Sequence, residues 1–450
     1  MRKYPEYKES GIEYISDIPQ QWEVWKLKFL VKEKLKYGAN EAAELDDRKL
    51  PRYIRITDFD NSGKLREETF KSLPFKIAKE YLLKNGDILF ARSGATVGKT
   101  LLFDNYEGIA CFAGYLIKAS CDAKKMNFKF LDYYTSSSSY ENWKDMIFIQ
   151  STIQNIGADK YNLILVPKPP LPEQHSIVRF LDYKTGQIDK FIANRQKQIE
   201  LLKEQLHFKI NQAITKGINT KVNYKSTDIK YVPEIPEHWE IRKFKSLTSI
   251  LTCGVAATPE YVEESEGVAF LSAQNCRPFA MDLSKYSFIK PSLHKQLIRN
   301  KKPQKGDVLV TRVGACIGDA CIIDTDLEFS IYVSLTHIRP NKEILSEYIV
   351  YFFNTEYCYQ LNHEGTVVAG GQGNLNVKNV ERYRIPLPPI DEQKQIIEYL
   401  DNYRLEMDNL ITKYQKQIDL MQEYRTALIS QAVTGKIDVR EWENIKKQTI

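Results

Sequence analysis

Two segments of the chain carry apolar residues at alternating steps of three and four, the pattern typical of coiled-coil helices. In the first segment the apolar positions are Ile188, Ile192, Ile199, Leu202, Leu206, Ile210 and Ala213. In the second they are Met407, Ile411, Tyr414, Ile418, Met421, Ile429 and Ala432. Arg195 and Arg425 interrupt the two seams. The pattern predicts two helices of about 60 Å each; ordinary core helices of a bundle are the alternative.

A proline-rich stretch precedes each predicted helix, "VPKPPLPEQ" in the first case and "IPLPPIDEQ" in the second. Proline cannot donate to a sheet ladder, but it suits the first turn of a helix. Asp391 is predicted to be the N-cap before Glu392 and Gln393. Each stretch therefore predicts the end of a globular part and the start of a helix.

Upstream of both junctions the pattern changes to short apolar runs around glycines. "GDILFARSGATVGKTLLF" and "GDVLVTRVGACIGDACII" each predict a strand, a glycine turn and a return strand. The first copy resembles a phosphate-binding loop, but such a loop has four residues between its glycines and is followed by a helix. Only three separate Gly94 from Gly98, and Asp319 replaces Lys99 in the second copy. A nucleotide-binding loop is therefore disfavoured.

The chain is a tandem repeat. "IPQQWEVWKLKFL" from Ile18 returns as "IPEHWEIRKFKSL" from Ile235. From Val166 to Ile218 the second copy follows at a constant offset of 219 residues, whereas upstream the offset varies. A constant length is typical of a rigid element, whereas loops of globular domains tolerate insertions.

The repeat predicts an α+β protein with two tandem α/β domains, separated by two long helices that form a coiled coil. The predicted boundaries are a first domain at 1–165, a first helical region at 166–222, a second domain at 223–384 and a second helical region at 385–450. The sequence does not fix the direction of the helices. We expect an antiparallel pair, which would place the domains at opposite ends.

Composition adds little. The net charge of +6, from 64 basic and 58 acidic residues, only mildly favours a polyanionic partner. A hydrophobic fraction of 43% is typical of a folded globular protein. No run approaches the roughly 20 apolar residues of a membrane span, and "MRKYPEYKES" lacks the pattern of a signal peptide. We expect a cytoplasmic protein with no membrane partner.

No pattern of catalytic or metal-binding residues is present. The six histidines and seven cysteines lack ligand spacing, and Cys316 and Cys321 are predicted to be buried within strands. There is no G-x-S-x-G motif, and the Asn-Pro-Pro-aromatic stretch of amino-methyltransferases is absent. We therefore expect no catalytic residue, no metal and no cofactor in this chain.

Binding to nucleic acid explains the predicted loops better, because they combine basic, hydroxyl and amide side chains that contact phosphates and base edges. The candidates in the first copy are Arg55, Arg92, Ser93, Thr96, Lys99, Gln150, Ser151, Thr152, Gln154 and Asn155. Those in the second copy are Gln274, Asn275, Arg312, Gln372 and Asn374. For each residue alone, structural pairing or simple exposure is the alternative.

Over nearly its whole length the chain resembles the specificity (S) subunit of type I restriction–modification systems. The resemblance rests on "YKESGIEYISDIPQQWEVWKL" and its repeat "YKSTDIKYVPEIPEHWEIRKF", on the "GDILFARSG" and "GDVLVTRVG" strands, and on the "PKPPLPEQ" and "PLPPIDEQ" junctions. Their duplicated order, together with the heptad helices, is highly specific.

The resemblance implies two target recognition domains, each recognising half of a bipartite site in double-stranded DNA, with the helices fixing the distance between half-sites. It also implies that two modification (methyltransferase) subunits dock on the helices and junctions, and that restriction subunits bind this complex. S-adenosylmethionine, ATP and magnesium would belong to those partners. The alternatives are a DNA-binding protein that acts alone and a coiled-coil scaffold.

Overall fold

The computed structural model describes residues 2–60, 65–94, 96–149, 155–314, 316–369 and 372–442. The chain forms two compact units. The first unit comprises Met1–Arg195 and Lys416–Ile450, and the second comprises Gln196–Gln415. Each unit therefore contains one globular part and a portion of both long helices.

The first unit is built on a four-stranded antiparallel sheet. Its strands, in spatial order, are Lys36–Tyr37, Leu116–Ser120, Asp87–Ala91 and Thr100–Phe103. All five residues of Asp87–Ala91 are buried, because this strand lies inside the sheet. The other paired strands are Arg52–Ile54 with Ala110–Phe112 in parallel, Tyr7–Lys8 with Ile18–Pro19, and Glu23–Lys26 with Leu165–Lys168. The short helices are Phe75–Ala78, Phe128–Thr135, Ser138–Ile149 and Ala158–Tyr161.

The second unit repeats this architecture. Its four-stranded sheet has the order Thr248–Cys253, Leu335–Pro340, Val308–Thr311 and Ala320–Ile322. Val268–Leu271 pairs in parallel with Phe329–Ile331 and antiparallel with Ser287–Ile289. The other strand pairs are Glu240–Lys243 with Arg384–Leu387, Tyr224–Ile229 with Val232–Pro236, Cys276–Arg277 with Ala280–Met281, and Thr366–Ala369 with Gln372–Leu375. The short helices are Pro291–Ile298, Ser346–Phe353, Glu356–Gly365 and Val377–Glu381.

The predicted strand–turn–strand is confirmed in both copies. Asp87 pairs with Phe103 and Val308 with Ile322 across the two hairpins. Gly94 and Gly98 have φ of 82° and 81°, a backbone conformation that favours glycine. A strand follows Lys99 where a phosphate-binding loop would have a helix. The glycine turn is therefore a hairpin connection.

The two long helices span Leu171–Lys216 and Ile390–Val433, with 46 and 44 residues. The first half of each packs against the second half of the other, as the core clusters of the two units show. In the first unit the shared residues include Ile177, Leu181, Leu428 and Ile429, and in the second they include Ile210, Ile214, Ile396 and Leu400. The predicted antiparallel pairing is thus confirmed.

A buried glutamine joins the first turn of each long helix to the globular part of its unit. Gln174 Oε1 accepts a hydrogen bond from the Asn127 N–H at 2.8 Å, and its Nε2 donates to the carbonyls of Pro169 at 2.8 Å and Lys125 at 3.1 Å. Gln393 makes the equivalent three bonds to Leu345, Pro388 and Glu343. Both side chains are fully buried.

A glycine against a buried tryptophan ends each long helix. Gly217 and Gly435 have φ of 76° and 74°. A Cβ at either position would lie 3.2 Å from the indole ring of Trp239 or Trp22. The end of the first long helix therefore lies in the second unit, and the end of the second long helix lies in the first unit.

The C-terminal segment continues this packing in the first unit. Asp438 forms a backbone bridge with Arg2. The Arg440 guanidinium lies 5.0 Å from the Tyr4 ring, and the Trp442 ring lies 5.7 Å from Phe180. The two ends of the chain are thus parts of one structural unit.

Two local predictions were wrong. Asp391 is not the N-cap, because the second long helix begins at Ile390 and Asp391 lies exposed in its first turn. Cys316 is exposed in the glycine turn, whereas Cys321 is buried in its strand as predicted. In both cases the element boundary differs from the predicted one by a few residues, as is common at the ends of elements.

We expect Gln174→Ala and Gln393→Ala each to destabilise their unit by about 2 kcal/mol or more, because buried backbone groups lose their partners. Calorimetry should show an apparent Tm of that unit about 5 °C lower. Gln187→Ala is the matched control, since this glutamine on the same helix is exposed and donates to the Tyr183 hydroxyl. Equal effects of Gln174→Ala and Gln187→Ala would contradict the anchoring role.

Candidate nucleic-acid interface

Arg92 lies at the end of the central strand of the first unit, where the chain enters the glycine turn. Its neighbour Ser93 forms a backbone bridge with Asn155, which follows the "STIQ" segment. The Arg92 guanidinium lies 5.1 Å from the centre of the Tyr37 ring, and its Nε donates to Asn155 Oδ1 at 3.4 Å. In the described part of the chain, no carboxylate forms an ion pair with Arg92. This half-buried cation is held loosely and faces a surface.

Arg312 occupies the equivalent position in the second unit but is held tightly. Only 7% of it is exposed. Its guanidinium donates to the carbonyls of Leu375 at 2.9 Å and Val333 at 3.3 Å, and to Asn374 Oδ1 at 2.9 Å. Arg312 therefore fixes the base of the Thr366–Ala369 and Gln372–Leu375 hairpin, and leaves the exposed Asn374 at the surface.

A buried carboxylate, Asp307, lies just before the Val308–Thr311 strand, which Arg312 follows. Asp307 Oδ1 and Oδ2 accept hydrogen bonds from Arg339 at 2.8 and 2.7 Å, and His337 Nε2 lies 2.7 Å from Oδ2. Burial alone would raise the pKa of Asp307, but the bonds from Arg339 and His337 outweigh it and hold this pKa below its ordinary value. The ionised form is thus part of the folded structure.

The other candidates fall into three groups. Thr96 is half-buried in the turn, and Lys99 and Gln274 are exposed. Arg55 and Asn275 stabilise their own loops: Arg55 donates to Asp58 and to the Thr69 carbonyl, and the fully buried Asn275 donates to two backbone carbonyls. Gln150, Ser151, Thr152 and Gln154 lie outside the described residues, and Gln372 begins a hairpin strand.

Sequence reasoning missed the cleft beside Arg92. Tyr37, Asn40 and Tyr115 line it together with Arg92, Ser93 and Asn155. A Cβ on Gly38, next to Tyr37, would lie 2.2 Å from the Phe112 carbonyl oxygen, so glycine allows the two loops to touch. The recurrence of this glycine as Gly254 in the second copy was the one signal available in the sequence.

Neither a metal-binding cluster nor a bilayer-spanning helix occurs in the described residues. Within them, no group of three or more His, Cys, Asp or Glu side chains is arranged to hold a metal ion. Across the same ranges, no helical stretch combines the length and the apolar character that crossing a bilayer requires.

Residues 19–201 and 236–420 match the family described as "Type I restriction modification DNA specificity domain". The chain is 24% identical over 445 residues to the type I restriction enzyme MjaVIII specificity subunit of Methanocaldococcus jannaschii, covering 96% of this chain and 97% of that one. It is 25% identical over 405 residues to the EcoKI specificity subunit of Escherichia coli, covering 87% and 83%.

The fold is similar to that of a chain solved in work on complex assembly and conformational transition of the type I R-M system. The TM-score is 0.69 at 17% identity, and the similarity covers 93% of this chain and 99% of that one. At this identity the likeness concerns the fold alone, with both globular parts and the long helices included.

We expect Asp307→Asn to destabilise the second unit by about 2 kcal/mol at pH 7, because Arg339 loses its charged partner. Since the folded pKa of Asp307 is lowered, its contribution is complete above the ordinary pKa of about 3.9 and is lost as the pH falls through the folded value. Urea unfolding between pH 7 and pH 3 should show the gap between the variant and the wild type narrowing below the ordinary pKa. Asp326→Asn, an exposed carboxylate in the same unit, is the control. A gap that stays constant down to pH 3 would disprove the linkage.

Proposed function

The chain belongs to the type I restriction modification DNA specificity domain family, and from this membership we propose that its two units recognise the two halves of a bipartite site in double-stranded DNA. It is a specificity subunit of a type I restriction–modification enzyme, the non-catalytic component that recognises DNA. Both units have the same sheet order and the same close contact of two loops, at Gly38 and at Gly254. This repetition carries the proposal, because two similar folds with divergent loops suit two different half-sites.

The contacts to DNA come from the surface around the two glycine turns. In the first unit these are Arg92, Ser93, Thr96, Lys99 and Asn155, with Gln150, Ser151 and Gln154 on the adjoining segment. In the second unit they are Gln274, Gln372 and Asn374. Arg55, Asn275 and Arg312 hold the loops in place without touching bases. Their internal hydrogen bonds support this role.

The long helices set the distance between the half-sites and dock two modification (methyltransferase) subunits, with restriction subunits joining that complex. Exposed apolar side chains along both helices support docking, since such groups favour protein interfaces. They are Leu201, Phe208, Tyr399, Leu405, Leu420 and Tyr424. S-adenosylmethionine, ATP and magnesium are then bound by the partner subunits.

Replacing residues 27–164 by the corresponding segment of another family member should change one half-site and leave the other intact. The exchange keeps the Glu23–Lys26 and Leu165–Lys168 strand pair and both long helices, so assembly is retained. Mapping methylated adenines in cells that express the complex measures both half-sites. Alteration of both half-sites would show that the units do not act separately.

Lengthening both long helices by one heptad should widen the gap between half-sites by about three base pairs. A heptad adds about 10 Å and keeps the apolar seam in register, and DNA rises about 34 Å per ten base pairs. The insertions go after Arg195 and after Gln415, where the two units divide. Methylation mapping gives the new gap.

Inserting two residues at each place is the control, because it turns the seams away from each other and should weaken assembly with the modification subunits. An unchanged gap in a heptad variant that still assembles would show that the helices do not set the spacing.

A further inference from the structure

The two units share one backbone arrangement, called the frame here. In the first unit residues 37–40 touch residues 112–116, and in the second unit residues 253–256 touch residues 331–335. Gly38 in the first unit and Gly254 in the second both approach a neighbouring carbonyl so closely that a Cβ would lie about 2 Å from it, nearer than side chains approach. Ala39 and Val255 form the equivalent parallel bridges to the facing loops. This frame therefore survived the divergence of the two copies.

The side chains on this frame differ between the copies. Matching backbone hydrogen bonds and bridges in the two units show which positions are equivalent. Tyr37 corresponds to Cys253, Asn40 to Ala256, Ser93 to Val313, and Tyr115 to Ser334. At these four positions the first unit thus carries polar and aromatic side chains where the second unit carries small or apolar ones, whereas Asn155 and its equivalent Asn374 are the same.

The cleft has the chemistry of a nucleic-acid contact. None of the described residues that line it is acidic, so no fixed charge in its wall repels a phosphate. Tyr115 is 60% exposed and Tyr37 is 42% exposed, although large aromatic side chains are usually buried. Among the described residues, the side chains of Asn40 and Tyr115 have no hydrogen-bond partner. An amide and a phenol without internal partners are free to form hydrogen bonds with base edges.

The cation of the cleft is also available. Tyr37 holds the Arg92 guanidinium from one side, and the Tyr37 hydroxyl is itself fixed by the Ala158 N–H at 2.9 Å. The equivalent cation, Arg312, donates its hydrogen bonds to acceptors inside its own unit. Of the two equivalent arginines, Arg312 therefore has a structural role, whereas the Arg92 guanidinium is available to bind a ligand.

We propose that this cleft determines which DNA sequence the first unit recognises in its half-site, called the first half-site here. Asn40 and Tyr115 contact base edges, and Arg92, positioned by Tyr37, binds the adjoining phosphate. The inference rests on the proposed function and adds to it the residues that distinguish one base pair from another. The two roles predict different consequences of substitution, because base contacts determine sequence and phosphate contacts determine affinity.

The test uses the full chain in complex with its modification subunits, and DNA that carries the methylation site mapped for the wild type. Binding is measured on that site and on variants changed at each base pair of each half-site. With Asn40→Ala or Tyr115→Ala, discrimination at one or two base pairs of the first half-site should fall about tenfold, while the second half-site stays unchanged.

Arg92→Ala should weaken binding to all these DNAs to a similar degree and reduce the slope of affinity against salt by about one. Phe75→Ala, which removes an exposed aromatic of the same unit outside the cleft, should change neither property. Thermal unfolding confirms that each variant is folded.

Unchanged discrimination in both Asn40→Ala and Tyr115→Ala, in a complex whose wild type is sequence-specific, would overturn the inference and leave the proposed function standing. Altered discrimination in the second half-site would also overturn it. A wild-type complex without any sequence preference would overturn the proposed function and this inference together.

Discussion

The antiparallel pairing of the two long helices is the constraint on which the rest of the structure depends. Each unit contains the start of one helix and the end of the other. A buried glutamine fixes the start, and a glycine against a buried tryptophan fixes the end. Because both attachments recur in both units, a change in the length of one helix alone would shift its attachments relative to those of its partner. This explains why the offset between the copies is constant along these segments and variable elsewhere.

Within each unit, the central strand links this scaffold to the surface that carries the candidate contacts. An aspartate, Asp87 or Asp307, lies at or just before the start of this strand, and an arginine, Arg92 or Arg312, follows its last residue. The backbone around both arginines is the same, yet one guanidinium has three internal acceptors and the other has a single long hydrogen bond. Duplication thus preserved the support and released the side chains on it to diverge.

The features that could be predicted from the sequence are those that local pattern determines. Heptad spacing indicated the helices, paired glycines indicated the hairpin turn, and the proline junctions indicated where helices start. The orientation of a polar side chain depends instead on distant segments. Arg312 has the chemistry of a DNA-contacting residue, but its acceptors, 21 to 63 residues away along the chain, turn it inward. Tyr37, Asn40 and Tyr115 were overlooked for the same reason, since only folding brings them to Arg92.

The packing of the chain's last described residues into the first unit has a consequence for synthesis. Leu428 and Ile429 belong to the core that also contains Trp22 and Ile177, and Trp442 lies against Phe180. A ribosome releases the N-terminal residues long before it makes these partners, so the first unit cannot close while translation continues. The core of the second unit, which ends at Leu400, is complete earlier. The segment that is made first is therefore finished last, and it must wait as an incomplete structure with part of its apolar surface uncovered.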